Sequence, residues 1–454
     1  MKKYFLQATF ITCITVLLFS CQKEDGLAVK ENASSLSARN GELMGHLKQT
    51  KTFSSDVAIK WMTMQVRQMT NYPPLVGNVA YSRHYAYSGI ALYEAVVPGM
   101  PAHQSIASQL NGLTGLPTTE PGAAYHWAAS ANAALAHINR SMFPSATDAH
   151  KPAMDSLEQS LMAEYSLETE AAIIERSVNF GKAVAEAVMN WANTDGHQNI
   201  NNPYVPLDPT KIGGIYWTPP AVIPVHTVQY IGDLRRMVAT SGDGAGLPAP
   251  DYDNLPAMTM EVVNARPEIG TDNYFKAFWW RDFPGTSTPG HYVSILRQVL
   301  SKEKPSLDVA ALAYALGGII DVDITISSWQ DKFKYLLARP FNYVSVLGIA
   351  PNNLLGAPHP EYPAAHATLS SANAEAMAHI FGEDYAFTDS TFYGMATPGG
   401  ALQPRHFNSF REAGEEAGWS RLYGGIHYRP SIEAGFWQGR KVAHNIISTL
   451  RFRK

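Results

Sequence analysis

Residues 321–340 read DVDITISSWQDKFKYLLARP, and the way this stretch folds decides how the chain is organised. Its apolar and polar residues recur at helical spacing and continue an apolar run that begins near 307, so a helix is expected over 307–337. Lys332 and Arg339 are then about two turns apart and point to the same side, which puts two cations on one face. Pro340 cannot continue a helix and restricts the residue before it. Arg339 is therefore expected near the helix end, facing a cavity.

Outward from this stretch, helix follows helix. Helical periodicity is read over 53–70, 76–97, 118–140, 148–164, 168–193, 257–263, 292–300, 365–380, 408–423 and 432–450, with turn residues between. No sequence repeat and no useful alternating strand run is found, so the fold class expected is all-α. The Pro/Gly-rich region 199–256 is too long for an ordinary connection and is expected to fold over the helices near a pocket mouth. At 454 residues, with 46% hydrophobic and 16% charged residues, much of the chain is expected to be buried helix around one continuous core. The net charge of -4 points neither to a nucleic-acid surface nor to a polybasic membrane patch.

Two further stretches carry chemistry. APHPEYPAAHATLSSANAEAM, 357–377, is a proline-rich loop followed by a helical run, with Pro363 favoured in the first turn and His366 in that turn. Free N–H groups, including that of Ala365, and the positive end of the macrodipole suit an oxyanion there. SRLYGGIH, 420–427, puts Arg421 and His427 on different faces of an ideal helix. Gly424-Gly425 lets the chain bend, so Arg421 closes a helix while His427 faces the same pocket from the next segment. A dense tetrahedral oxyanion stays bound away from water only when several cations and N–H donors surround it. Two arginines and a lysine supply them.

K-x6-R-P, then PAAH, then S-R-x5-H, in this order and spacing, resemble the vanadium-dependent haloperoxidase and type 2 acid phosphatase (PAP2) superfamily. The resemblance runs from about Val57 to the C-terminus, with GIYWTPP at 214–220, Asp323 through Trp329 to Lys332, and EEAGWSRLYGGIHYR as further landmarks. It implies two four-helix bundles sharing one core, vanadate as cofactor, and hydrogen peroxide and a halide, iodide or bromide, as substrates. By the same resemblance His427 is the metal-bonded ligand, while Lys332, Arg339, Arg421 and the Ala365 amide hold the oxygens. His366 is the general acid and base that deprotonates bound peroxide, a task suited to an unperturbed pKa of about 6.5. Lys332 polarises the bound peroxide for halide attack, and the metal keeps its oxidation state. The alternatives are an acid phosphatase, in which His427 attacks phosphorus and His366 protonates the leaving group, and a non-catalytic lipoprotein that keeps the fold and binds an oxyanion or nothing.

The sequence departs from that pattern twice. Ala364 and Ala365 stand where the superfamily has serine and glycine, so a hydroxyl donor worth roughly 1.5–3 kcal/mol to a charged oxygen is lost. Ser431 stands where an aspartate usually orients the histidine, and Glu433 is the candidate to take over. His359 is expected on the halide side of the pocket. No G-x-S-x-G elbow, glycine-rich phosphate loop, H-E-x-x-H or cysteine-histidine zinc spacing competes. Asp321 and Asp323 could be read as a carboxylate pair for glycoside hydrolysis, but two apart on one helix they face different ways, which argues against it. Of the 15 histidines, His84, His126, His137, His379 and His444 read as structural, and Arg83-His84-Tyr85 as a packed helix face.

The first residues look like a bacterial lipoprotein signal: Lys2-Lys3, an apolar run over 4–19, and Leu-Phe-Ser-Cys ending at Cys21. Cleavage and lipidation at Cys21 would remove Cys13, leaving one thiol and no internal disulfide. The expected organisation is a signal over 1–21, a flexible tether over 22–52 and a helical body over 53–454. Export to the outer membrane is expected, and Glu24-Asp25 resembles a surface-export signal.

Overall fold

The structure, a computed structural model, describes residues 48–71, 81–143, 150–200, 202–205, 216–218, 228–283, 286, 288–349 and 357–454. The signal, Cys21, the tether up to 47 and most of GIYWTPP lie outside them.

The described chain is all-α. In order the helices are α1 (Asp56–Asn71), α2 (Ser82–Val96), α3 (Trp127–Met142), α4 (Lys151–Tyr165), α5 (Ala171–Ala192), α6 (Leu255–Asn264), α7 (Asp272–Trp279) and α8 (Thr288–Glu303). They continue as α9 (Leu307–Tyr335), α10 (Pro340–Tyr343), α11 (Ala365–Phe381), α12 (Phe410–Tyr423) and α13 (Arg429–Thr449). Between α11 and α12 lie four short strands, β1 (Phe387–Asp389), β2 (Ala396–Thr397), β3 (Gly400–Ala401) and β4 (Arg405–Phe407). They form two antiparallel pairs, with Phe387 opposite Phe407 and Ala396 opposite Ala401.

Helix α9 runs through the middle, in contact with α1, α2, α8, α11 and α13. It is apolar on nearly every side because it has neighbours on nearly every side. Its most apolar window is long enough to cross a bilayer, yet 89% of that window is buried inside the protein, as befits a core helix. The α2–α9 crossing is close because Gly318 has no side chain: a Cβ there would lie 2.6 Å from the Cα of Ala86. The α11–α13 crossing relies on Gly435, whose Cβ would stand 2.8 Å from that of Ala367, and on Gly439, whose Cβ would overlap Ser371 and Thr368. One large core draws on both helix groups, α1–α5 and α8, α9, α11, α12 and α13. A smaller cluster gathers Leu247, Leu255, Val344, Tyr362, Leu422 and Tyr428 around the segments that carry the motifs.

Several sequence expectations change. Helix α9 stops at Tyr335, where Leu336 adopts φ 47° and donates its N–H to the Lys332 carbonyl. Arg339 is thus not on the helix face of Lys332; it is the extended N-cap of α10. Helix α3 begins at Trp127, not 118, because Pro117, Pro121 and Gly122 (φ 74°) hold the preceding chain out of a helix and the His126 ring accepts the Ala129 N–H at 3.1 Å. Helix α7 and the strands were too short to show a period. The packed body begins before 53: Thr50 is buried with its hydroxyl on the Val96 carbonyl, and Trp127 donates to the Lys48 carbonyl at 2.8 Å. Pro363 precedes the N-cap of α11 and is not in its first turn.

The Pro/Gly-rich region, where described, lies along α9. Asp323 accepts the N–H groups of Met237 and Val238 at 2.7 and 3.0 Å, and Asp331 that of Leu247 at 3.2 Å. Asp321 instead takes the Asn373 amide at 2.5 Å, so the two carboxylates do face different partners. Arg83 pairs with Asp195 at 2.6 Å inside the bundle, a structural role.

A candidate oxyanion site

Three segments converge at the loop 359–363. From the last turn of α9, the Lys332 ammonium donates to the carbonyls of Pro360, Glu361 and Pro363 at 2.9, 3.0 and 2.5 Å. Arg339 reaches the same loop from the other side of the α9–α10 turn. Its Nε donates to the His359 carbonyl at 3.1 Å and its Nη2 to His359 Nδ1 and the Pro360 carbonyl at 3.0 and 3.3 Å. Its Nη1 donates to the Ile426 carbonyl at 3.0 Å and to His427 Nε2 at 3.2 Å.

His427 owes its position to the bend foreseen at Gly424-Gly425. Helix α12 closes with Arg421 in its last turn, Gly425 takes φ 76°, and the Ile426 N–H caps the Arg421 carbonyl at 3.1 Å. The histidine then stands just before α13, whose N-cap is Tyr428. Its Nδ1–H donates to Glu361 Oε1 at 2.8 Å, which leaves Nε2 as the lone pair that meets Arg339. Glu361 Oε1 also accepts the Tyr428 N–H at 2.9 Å, and Glu361 Oε2 accepts the Ser431 hydroxyl at 2.5 Å. The carboxylate against His427 therefore comes from the loop, not from Glu433, which is exposed. Nothing local in the sequence marks Glu361, since its partner is 66 residues away.

His366, in the first turn of α11, donates Nε2–H to the Trp280 carbonyl at 2.7 Å, with Asp282 Oδ1 3.6 Å away. Its basic nitrogen is then Nδ1. Arg421 donates to Ser420 Oγ at 2.8 Å and to the Ala277 carbonyl at 2.9 Å. The end of α7, missed in the sequence, thus supplies acceptors to both. The Ala365 amide is the first N–H of α11 and has no acceptor within the helix by position. The His359 ring lies 5.0 Å from that of Trp329.

Lys332, Arg339, Glu361, His366, Arg421 and His427 are all buried, and their electrostatics follow from it. Burial, then the charge of Arg421, pushes His366 down to about 3. Burial, then Arg339 and Lys332, holds His427 well below the usual range, and burial with Arg339 does the same to Lys332. Burial pushes Glu361 up, opposed by the Ser431 hydroxyl, the Tyr428 amide and the two cations. Both imidazoles are thus neutral near pH 7; Lys332 and Arg339 act on the fully buried Glu361 carboxylate, while Arg421, also buried, lies on the His366 side with Asp282 as its main opposing charge. Excess buried positive charge is costly unless an anion neutralises it. The set, rich in N–H and with an unprotonated imidazole nitrogen, His427 Nε2, that here accepts from Arg339, fits a tetrahedral oxyanion such as vanadate or phosphate. Among the described residues no group of three or more His, Cys, Asp and Glu is placed to hold a metal cation.

Residues 349–452 match the family model of the VCPO second helical-bundle domain. The chain has the vanadium haloperoxidase fold. Among solved structures, a bacterial vanadium-dependent iodoperoxidase is similar with TM-score 0.75 and 24% identity, over 88% of this chain and 97% of that one. A holo-type bacterial vanadium-dependent chloroperoxidase is similar with TM-score 0.65 and 15% identity, over 90% and 98%. An apo-type chloroperoxidase is similar with TM-score 0.60 and 15% identity, over 83% and 95%. No curated protein sequence matches. The haloperoxidase-type second bundle includes α11, α12 and α13, and so holds His366, Arg421 and His427; Lys332 and Arg339 reach it from α9 and the turn after it.

Proposed function

We propose that the chain is a vanadate-dependent peroxidase that oxidises iodide or bromide: halide, hydrogen peroxide and one proton give hypohalous acid and water. The observation that carries this reading is His427 Nε2, an unprotonated imidazole nitrogen beside Arg339 with its ring fixed from behind by Glu361. His427 would bond the metal, and Lys332, Arg339, Arg421 and the Ala365 amide would hold its oxygens. Bound vanadate would supply Lewis-acid activation of peroxide without changing oxidation state. The chain's own part is to exclude water, compensate charge and move protons. Neutral His366 takes the peroxide proton on Nδ1, its Nε2–H fixed on the Trp280 carbonyl, and returns it to the departing oxygen. The fold's likeness to an iodoperoxidase and to chloroperoxidases supports the reaction class.

The same His427–Glu361 pair equips a phosphatase nucleophile, so one assay set decides. Purified protein loaded with vanadate is tested for iodide and bromide oxidation and for aryl phosphate hydrolysis. Vanadate-dependent halide turnover upholds the proposal. Phosphate release inhibited by vanadate points to the acid phosphatase, and neither activity to an oxyanion-binding protein. We also propose lipidation at Cys21 and an outer-membrane location, tested by palmitate labelling of wild type and Cys21→Ala followed by membrane fractionation.

A further inference from the structure

We propose that Glu361 is the positioning residue of this site, setting the orientation of His427 for the bound anion, a role that rests on the peroxidase reading above. The carboxylate is gripped by three donors from one turn of chain: His427 Nδ1–H, the Tyr428 amide and the Ser431 hydroxyl. Each is buried, and Glu361 and Ser431 are 0% and 1% exposed. The same residue's carbonyl takes the Lys332 ammonium, while the carbonyl of the preceding Pro360 takes both Arg339 and Lys332. Through main chain and side chain, Glu361 therefore ties a cation of α9 directly to the imidazole before α13. Since Nδ1–H is committed to Glu361, Nε2 must carry the lone pair, and it is aimed at the arginine. Ser431 has no role in the anion site itself; it completes the second oxygen of Glu361.

A positioning role and a purely electrostatic one predict opposite signs. Removing a buried negative charge beside an anion site should tighten anion binding on charge alone. Loss of an orienting partner behind a ligand histidine typically weakens binding about 10- to 100-fold. The test uses Glu361→Met, which fills the space without an acceptor, and Glu361→Gln, which keeps one, with vanadate dissociation constants from vanadium-51 NMR. The two variants carry the same charge, so their difference isolates the acceptor. The expected result is weakening by roughly 10- to 100-fold for Met and a smaller loss for Gln. Equal affinities for the two variants, or tighter binding by Met than by wild type, overturns the proposal. A second readout needs no vanadate: a downfield, exchange-protected His427 Nδ1–H resonance in wild type and Gln, lost in Met. Should wild type bind no vanadate, the peroxidase reading fails, and this resonance still decides the role of Glu361. Its persistence in a folded Met variant overturns that role.

Discussion

Replacing Ala364 by serine tests where the anion sits. Ala364 is the N-cap of α11, in extended conformation at φ -71° and ψ 113°, and makes no side-chain cap bond. A serine there has an acceptor for the Ala367 N–H, and an N-cap of this kind is worth about 1 kcal/mol of stability. Its O–H remains free to donate to an anion at the same helix terminus. A hydrogen bond to a charged group contributes about 1.5–3 kcal/mol, which at about 1.4 kcal/mol per decade is roughly 10- to 150-fold in affinity. The two effects separate experimentally. Urea unfolding without anion reads the cap, and a vanadate titration reads the donor. The expected outcome is a higher midpoint together with a lower dissociation constant. A raised midpoint with unchanged affinity means that the anion is not at this terminus, and the placement of Ala365 and His366 around it is then wrong. A lowered midpoint means that the close packing of Gly435 here, where even an added Cβ would come within 3.0 Å of the Ala364 carbonyl, leaves no room for the hydroxyl.

Three other outcomes are expected. Arg339→Lys keeps the charge but replaces five donor contacts by at most three; two stranded acceptors at about 1–3 kcal/mol each cost roughly 2–6 kcal/mol, and an unchanged urea midpoint would refute the accounting. Vanadate at a hundredfold excess over its dissociation constant should add about 2.7 kcal/mol to stability by mass action, with no such thermal shift in Lys332→Met; a wild type indifferent to vanadate and phosphate would show that the cations are only structural. Asp321, pushed by burial up to about 8 against the Asn373 bond, keeps its proton in the folded state where the unfolded chain, at 3.8, has lost it. Its contribution is therefore full below about pH 4 and disappears as pH rises through 8. Asp321→Asn should flatten the fall in unfolding free energy over that window, and identical slopes would contradict it.

How legible was this in the sequence? The cations and histidines were readable because each has a local cue: Pro340 after Arg339, the proline-rich approach to His366, the glycine pair before His427. Arg339 does reach the loop and His427, but not by the route that helix geometry offers. The helix geometry offered a shared face, whereas the left-handed turn at Leu336 is what brings the guanidinium to the loop. Glu361 was invisible because no periodicity links it to a partner 66 residues on. Glu433 was chosen for being near in sequence, but α13 begins at Arg429 and turns it to solvent. The Trp280 carbonyl was hidden too, since it follows a helix of 8 residues, barely two turns and too short to establish a pattern.

The glycines where α13 crosses α11 have a consequence for the chemistry. His366 rides at the head of one helix and His427 just ahead of the other, so the span between the imidazoles is set by how closely two rods can lie. That closeness is bought with bare backbone at Gly435 and Gly439. A single added methyl there would wedge the rods apart and widen the gap between the two imidazoles. The gauge of the candidate pocket is thus written in side chains that do not exist.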